Sequence, residues 1–224
     1  MVRLKKILRI AFVIYGVFVL SVPIGCTQYR NTKYAEFLSE LENEVVSELN
    51  LARQNPRKYA SFLEQMKPYY DGKLIKRPGK PIIQTEEGIR AVDEAIRFLN
   101  SAAPLPPFKI SAGLSRAARD HVKDQGPKGK IGHNGSDGSQ AATRVNRYGK
   151  WKRTLGENIA YGGEDARNMV MGLIIDDGVP NRGHRKNIFN PAFRIIGVAC
   201  GQHSVFKTMG VITFAGDYIE ERKK

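Results

Sequence analysis

A chain of 224 residues with 42% hydrophobic and 26% charged side chains carries enough apolar material for one globular core of ordinary size. Its two cysteines, Cys26 and Cys200, exclude a disulfide framework, so stability has to come from packing. The net charge of +14 is spread along the chain with neither a recognition motif nor interleaved aromatics, which argues against a specific nucleic-acid partner and for attraction to anionic lipid headgroups or envelope polymers.

The N-terminus reads as a targeting segment. Arg3, Lys5, Lys6 and Arg9 precede an apolar run from Ile10 to Leu20, interrupted by Gly16. That run has the length of a signal-peptide core and falls short of the roughly 20 residues that span a bilayer. Pro23-Ile24-Gly25-Cys26 follows and resembles the lipobox of bacterial lipoproteins, whose cysteine is acylated after cleavage, although Pro23 stands where leucine is preferred. Residues 1–25 are therefore read as a signal peptide or an uncleaved membrane anchor, Cys26 as the lipidation site, and 26–35 as a tether. Either way the body is expected outside the cytoplasm, exported or membrane-tethered.

The body opens with a helical period over Tyr34–Gln54, where Phe37, Leu38, Leu41, Val45, Leu49 and Ala52 recur at threes and fours. Asn55-Pro56 stops it, and Arg57–Met66 suits a short second helix. The proline- and glycine-rich stretch from 67 to 85 reads as a loop. A helix is predicted from Thr85, as its cap, through Leu99. After the prolines at 104, 106 and 107, another helix runs over Ser111–Lys123.

Gly126–Ser139 is a polar loop around His133, and Gln140–Tyr148 a short helical stretch. Thr154–Gly163 reads as a strand, Asp165–Ile175 as a helix, and Asp176–Pro191 as a turn-rich loop around His184. Ile195–Cys200 and Met209–Ala215 form a predicted hairpin. The tail, 220–224, is expected to be solvated. Helices first, then strands intermixed with a helix, argue for an α+β fold with an antiparallel sheet covered by helices.

Four histidines are present: His121, His133, His184 and His203. His121 lies within a predicted helix and His203 in a turn, so both read as packed or solvated residues. His133 and His184 lie in glycine-flanked loops, where the backbone can be shaped around a site. Glu157, between Gly156 and Asn158, and the pair Asp176–Asp177 are the acidic candidates. Two histidines and two carboxylates are able to hold a divalent transition metal with open positions for water, or to form acid–base pairs without one. No serine or cysteine nucleophile with a paired base stands out. Cys200, between Val198, Ala199 and Gly201, reads as a small buried hydrophobe.

Three motifs carry a family resemblance. Gly156-Glu157-Asn158-Ile159-Ala160-Tyr161-Gly162 and Gly183-His184-Arg185-Lys186-Asn187-Ile188 are similar to two signatures of the CAP superfamily, which takes in cysteine-rich secretory proteins, antigen 5, pathogenesis-related proteins and bacterial SCP-like extracellular proteins. The loop His133–Ser139 resembles the family's histidine loop, Pro191–Ala199 the strand after its second histidine, and Asn50-Leu51-Ala52-Arg53 the N-x-x-R of its first helix. The match covers residues 36–55 and 105–219, within a domain of 36–219, and leaves 56–104 as an insertion.

The resemblance implies an α-β-α sandwich with a central antiparallel sheet between helical layers. It also implies a cleft that gathers His133, His184, Glu157 and an acid from the helix before the His184 loop. Members usually carry glutamate there, three residues after a tryptophan. Here Leu173 stands at the tryptophan position, which makes Asp176 the acid and leaves Asp177 as a substitute. His133 and His184 would be the metal ligands, with Glu157 and Asp176 the catalytic acids. Two functions follow as expectations: a module binding a lipid, an envelope polymer or a protein ligand, or a divalent-metal-dependent hydrolase.

Overall fold

A computed structural model describes residues 36–163 and 165–221. The targeting segment, Cys26 and the tether lie outside the described residues.

The first helix, α1 (Glu40–Gln54), begins at Ser39, whose hydroxyl accepts from the Glu42 amide while the Glu42 carboxylate accepts from the Ser39 amide at 2.7 Å. This reciprocal cap fixes the entry of the chain. Val45, Leu49 and Ala52 are fully buried along one face. Pro56 then opens α2 (Pro56–Glu64), the position where a missing amide costs nothing.

The stretch expected as a loop contains a single 3₁₀ turn (Lys67–Tyr69) and three two-residue strands, β1 (Tyr70–Asp71), β2 (Leu74–Ile75) and β3 (Ile83–Gln84), paired antiparallel. Strands this short leave no periodicity to read. The next helix, α3 (Ile89–Ser101), starts at Gly88 rather than at Thr85. Thr85 instead donates its hydroxyl to the Lys73 carbonyl at 2.6 Å, pinning β3 to the β1–β2 turn. Gly88 has φ of 68°, and a Cβ there would lie 2.4 Å from the Gly72 carbonyl oxygen, so glycine is required on both counts.

The main sheet has the order β4-β6-β7-β5, with β4 (Lys109–Ile110), β5 (Gly149–Tyr161), β6 (Ile195–His203) and β7 (Lys207–Glu220). The long strands are antiparallel; the short β4 pairs parallel with β6. Along β6 and β7 the side chains alternate. Ile196, Val198, Ile212 and Phe214 pack with α1, α3 and α6 (Ala166–Ile175), whereas Ala199, Met209 and Val211 pack with Ala118 and Val122 of α4 (Ala112–Gln125). Helices on both faces of one sheet make the expected α-β-α sandwich.

The close approach of α4 is set by Gly197, where a Cβ would come within 2.1 Å of the Leu114–Ser115 backbone. The two remaining helices, α5 (Ala141–Val145) and α7 (Gly183–Ile188), are short. Helix α7 falls inside the stretch read as a turn-rich loop.

The described residues of the tail, Glu220 and Glu221, are exposed as expected, and the first of them has a structural part as well. Glu220 ends β7, and its carboxylate accepts from the Ser111 hydroxyl at 2.7 Å and the Gly113 amide at 3.2 Å, at the start of α4. Cys200 packs partly buried against the core, where burial, aided by the Glu42 charge, pushes its thiol up to about 12. Such a thiol is inert at neutral pH. Among the described residues no helix is long and apolar enough to cross a membrane.

Candidate functional site

The four expected site residues come together as two pairs. In the first, the His133 ring meets the Glu157 carboxylate, Nδ1 to Oε1 at 3.0 Å. Arg144, which motif reading missed, donates to both oxygens of Glu157 at 3.0 and 2.8 Å and to the carbonyls of His133 and Ser139. Arg144 and Glu157 are 2% and 4% exposed, so this is a buried ion pair, while His133 stands at the surface. Burial alone would raise the Glu157 carboxyl, but His133 and the Arg144 guanidinium outweigh it and hold it below the usual range.

The histidine loop is held from beneath by α4. His121 Nε2 lies 2.9 Å from the Gly132 carbonyl, and Gln125 donates to the Asn134 carbonyl. A carbonyl can only accept, so Nε2 of His121 carries the proton. Burial lowers the His121 pKa, which favours the neutral ring. From the other side Tyr161 accepts from the Gly132 amide at 2.9 Å. The other histidine read as structural, His203, ends β6 fully buried and accepts from the amides of Val205 and Phe206, shaping the hairpin turn.

In the second pair, Asp176 closes α6 in the left-handed conformation (φ 57°, ψ 43°), which aspartate adopts more readily than most residues. One oxygen meets His184 Nδ1 at 2.6 Å and the other accepts the His184 amide at 2.9 Å. The shorter side chain therefore reaches, because the left-handed turn carries it to the start of α7. Asp177 serves elsewhere: its oxygens accept the amides of Glu86 and Glu87 at 2.6 and 2.8 Å, just before α3.

Glu157 and Asn158 are consecutive on β5 and turn to opposite sides of its pleat. Asn158 donates to the His184 carbonyl at 2.9 Å and accepts from Asn187 at 2.8 Å. Each His–acid pair is complete within itself. Among the described residues no group of three or more His, Cys, Asp or Glu side chains gathers as an ion would need. Both carboxylates are committed to protein donors, and both rings turn Nδ1 inward. Nε2 is left on each, and two imidazole nitrogens fall short of the three protein ligands of a catalytic zinc.

The His184 loop is braced by buried arginines. Arg185 donates to the Ile174 and Ile175 carbonyls at the end of α6 and pairs with Glu94 of α3 at 2.7 Å. Arg53, under the Phe108 ring, reaches the carbonyls of Ile188, Asn190 and Phe193. Its burial lowers the guanidinium to about 10.

Beside His184 and Asp176 lies a cavity of about 350 Å³. One wall comes from α6 and β5, through Leu173, Met169 and Ile159. The other comes from the 56–104 segment, through Met66, Tyr70, Ile75 and Ile83. The segment is thus a roof over the cleft, latched by Asp177 and by Arg182, which pairs with Glu87 at 2.5 Å and Glu94 at 3.0 Å. Tyr70 in this roof is pushed up to about 12 by burial and the Asp177 charge.

Comparison with known proteins agrees with the motif reading. A model of the Cysteine-rich secretory protein family (CAP) matches residues 47–217. The uncharacterized protein YkwD of Bacillus subtilis is 33% identical over 94 residues, 42% of this chain and 35% of that protein, so the chain spans about a third of that relative's length. Among solved structures, an extracellular protein containing an SCP domain from Bacillus anthracis aligns over 50% of this chain and 34% of its own, at 24% identity and a TM-score of 0.41. An outer surface protein from Borrelia burgdorferi aligns over 57% of this chain and 89% of its own, at 20% identity and a TM-score of 0.43.

Proposed function

The chain belongs to the cysteine-rich secretory protein (CAP) family, and from that premise we propose that it is an exported, membrane-tethered module that binds a lipid, an envelope polymer or a protein ligand in the cleft beside His184. The observation that carries this reading is the roofed, largely apolar cavity, with two carboxylates already bonded to protein donors. A ligand pocket is typically concave, mostly apolar and furnished with a few polar groups, and this one lies within the usual size range. A general base, by contrast, works best with a pKa near the operating pH, and Glu157 is held the other way by Arg144.

Export rests on the N-terminal basic–apolar segment ending at Cys26. The purified full chain, offered lipids, envelope polymers and hydrolase substrates, should bind and not turn over. Turnover without binding would end this reading.

A divalent-metal-dependent hydrolase is the second reading, favoured by one observation. Histidines whose Nδ1 is fixed by a carboxylate are oriented to bind through Nε2. His133 and His184 would hold the ion, most readily zinc, and Glu157 would serve as base. Two imidazole nitrogens are fewer than the three ligands a catalytic zinc takes from its protein, which weighs against this reading. Elemental analysis of wild type against His133→Ala separates the readings: the binding module predicts no difference, whereas a metal enzyme predicts loss of the ion together with activity.

A further inference from the structure

The outer edge of β5 borders the cleft. β5 ends the main sheet, so one side of it pairs with β7 and the other has no strand partner among the described residues. The Gly162 amide donates to the Thr208 carbonyl at 2.9 Å, which extends the β5–β7 register by one pair. Hydrogen-bonded pairs alternate along an antiparallel ladder. Gly156, Asn158 and Ala160 therefore turn their backbone groups to β7, and Glu157, Ile159 and Tyr161 turn theirs outward. Among the described residues these outward amides and carbonyls have no hydrogen-bond partner.

The two halves of this edge differ. Lys150, Lys152 and Arg153 occupy the first half, where the register shifts and Arg153 has φ of 72°. Charges and bulges are the usual protection of an exposed edge against pairing. From Leu155 to Tyr161 the one charged residue is Glu157, and its carboxylate is held by Arg144. This unprotected half leads into the main chamber, which Ile159, Ala160, Tyr161, Gly162 and Gly163 help to line. A cation stands at its end. A smaller hollow of about 190 Å³, bordered by Lys207, shares Arg77, Gly162 and Gly163 with the chamber. One terminal nitrogen of Arg77 donates to Asn168 at 3.1 Å, while its buried Nε has no hydrogen-bond partner among the described residues. Leaving a buried donor unpaired is costly, and a ligand acceptor relieves that cost.

We infer that this edge takes up the C-terminal end of an extended polypeptide as an added strand. The peptide runs parallel to β5, bonds the outward groups of Ile159 and Tyr161, and sets its terminal carboxylate on Arg77 beside Gly163. Main-chain bonds supply the affinity in this mode, and pockets for alternate side chains supply the specificity. Every second side chain of the peptide enters the chamber between α6 and the roof, where Met169, Leu173, Ile75 and Ile83 call for apolar ones. The carboxylate presents the paired oxygens that suit an arginine fork. This deepens the binding-module reading and rests on it, selecting a protein over a lipid or a polymer.

The full chain is offered to an array of random heptapeptides fixed by their N-termini, and to the same array amidated at its C-termini. Peptides with a free carboxylate and apolar residues at alternate positions should be retained, and their amides should bind about tenfold weaker or less. An added strand bonds β5 on one side only. Methylating every second backbone nitrogen of the best peptide should therefore weaken it about tenfold in one phase of the alternation and not in the other. Arg77→Met should erase the preference for the free acid.

Gly172 on α6 lines the chamber, and a Cβ there would meet nothing within 4 Å. Gly172→Leu therefore fills the chamber while improving helix propensity, and should fold normally yet weaken every peptide. An array with no retained peptide, equal retention of acid and amide, equal loss in both methylation phases, an unaltered Arg77→Met or an unaltered Gly172→Leu overturns the inference. If a lipid or an envelope polymer binds while no peptide does, the added strand fails and the module stands; Glu157-dependent turnover without binding removes the module itself.

Discussion

Arg144 carries the largest single consequence at the scale of one residue. It neutralises a glutamate that is 4% exposed, and removing one partner of a buried pair strands the other. Arg144→Met should lower unfolding free energy by about 3 kcal/mol at neutral pH, measured by urea denaturation. The pH dependence follows from the sign of the Glu157 shift. Its folded pKa is depressed, so its contribution is present above the ordinary value near 4.5 and is lost as pH falls through the folded value. In Arg144→Met the glutamate loses that protection, and the deficit relative to wild type should shrink below about pH 4.5.

At the second pair, Asp176→Asn keeps a residue that tolerates the left-handed turn but removes the charge. The His184 ring should lose its fixed Nδ1–H tautomer, read from its nitrogen chemical shifts; an unchanged tautomer would show that Asp176 does not set it. Asp176 and His184 were legible together because the chain brings them only eight positions apart. Glu157 and His133 were candidates from their glycine-flanked settings, but their place in one site was reached only through motif resemblance, and Arg144 not at all. A buried arginine in a short polar helix has no local signature until the fold shows which carboxylate it faces.

Elements position these residues, and their packing gives separate predictions. Helix α4 can hold the histidine loop only because Gly197 lets it approach β6. Gly197→Ala drives a methyl into the Leu114–Ser115 backbone and should destabilise by about 3 kcal/mol, visible as a lowered melting temperature. The roof depends on a different contact. Asp177→Ala removes both acceptors before α3, at a cost of about 2 kcal/mol to that attachment. Amide exchange over residues 70–88 should accelerate while α1 and β7 stay protected; uniform exchange would mean that the roof is not latched there.

The long helices were readable from apolar spacing; caps such as Ser111, whose hydroxyl accepts the Leu114 amide, emerged only with the fold. Helix α7 was not, since Gly-His-Arg-Lys-Asn-Ile has no apolar period. Thr85 looked like a cap because its residue type fits one, but its hydroxyl had a nearer acceptor across the small sheet.

On the scale of the whole molecule, the sandwich carries both His–acid pairs and the 56–104 segment supplies one wall of the cavity beside His184. The stretch from 67 to 85 had the composition of a loop, and only the fold shows that its Tyr70, Ile75 and Ile83 line the cavity beside His184. The tether belongs to this scale too. If Cys26 is acylated after cleavage, Cys26→Ser should move the protein from the membrane fraction to the soluble one, and mass spectrometry of the wild-type N-terminus should find a lipid-modified cysteine; an unmodified Met1 would contradict it.

Whether the chamber is occupied bears most directly on the account. The full chain is recovered from its own cells, extracted with organic solvent, and the extract compared by mass spectrometry with that of Gly172→Leu, a substitution in α6 at a glycine that lines the cavity and where a Cβ would meet nothing within 4 Å. A near-stoichiometric small ligand from the wild type, absent from the variant, is the predicted result. Empty extracts from both, with a purified chain that hydrolyses an envelope substrate through Glu157, would contradict it.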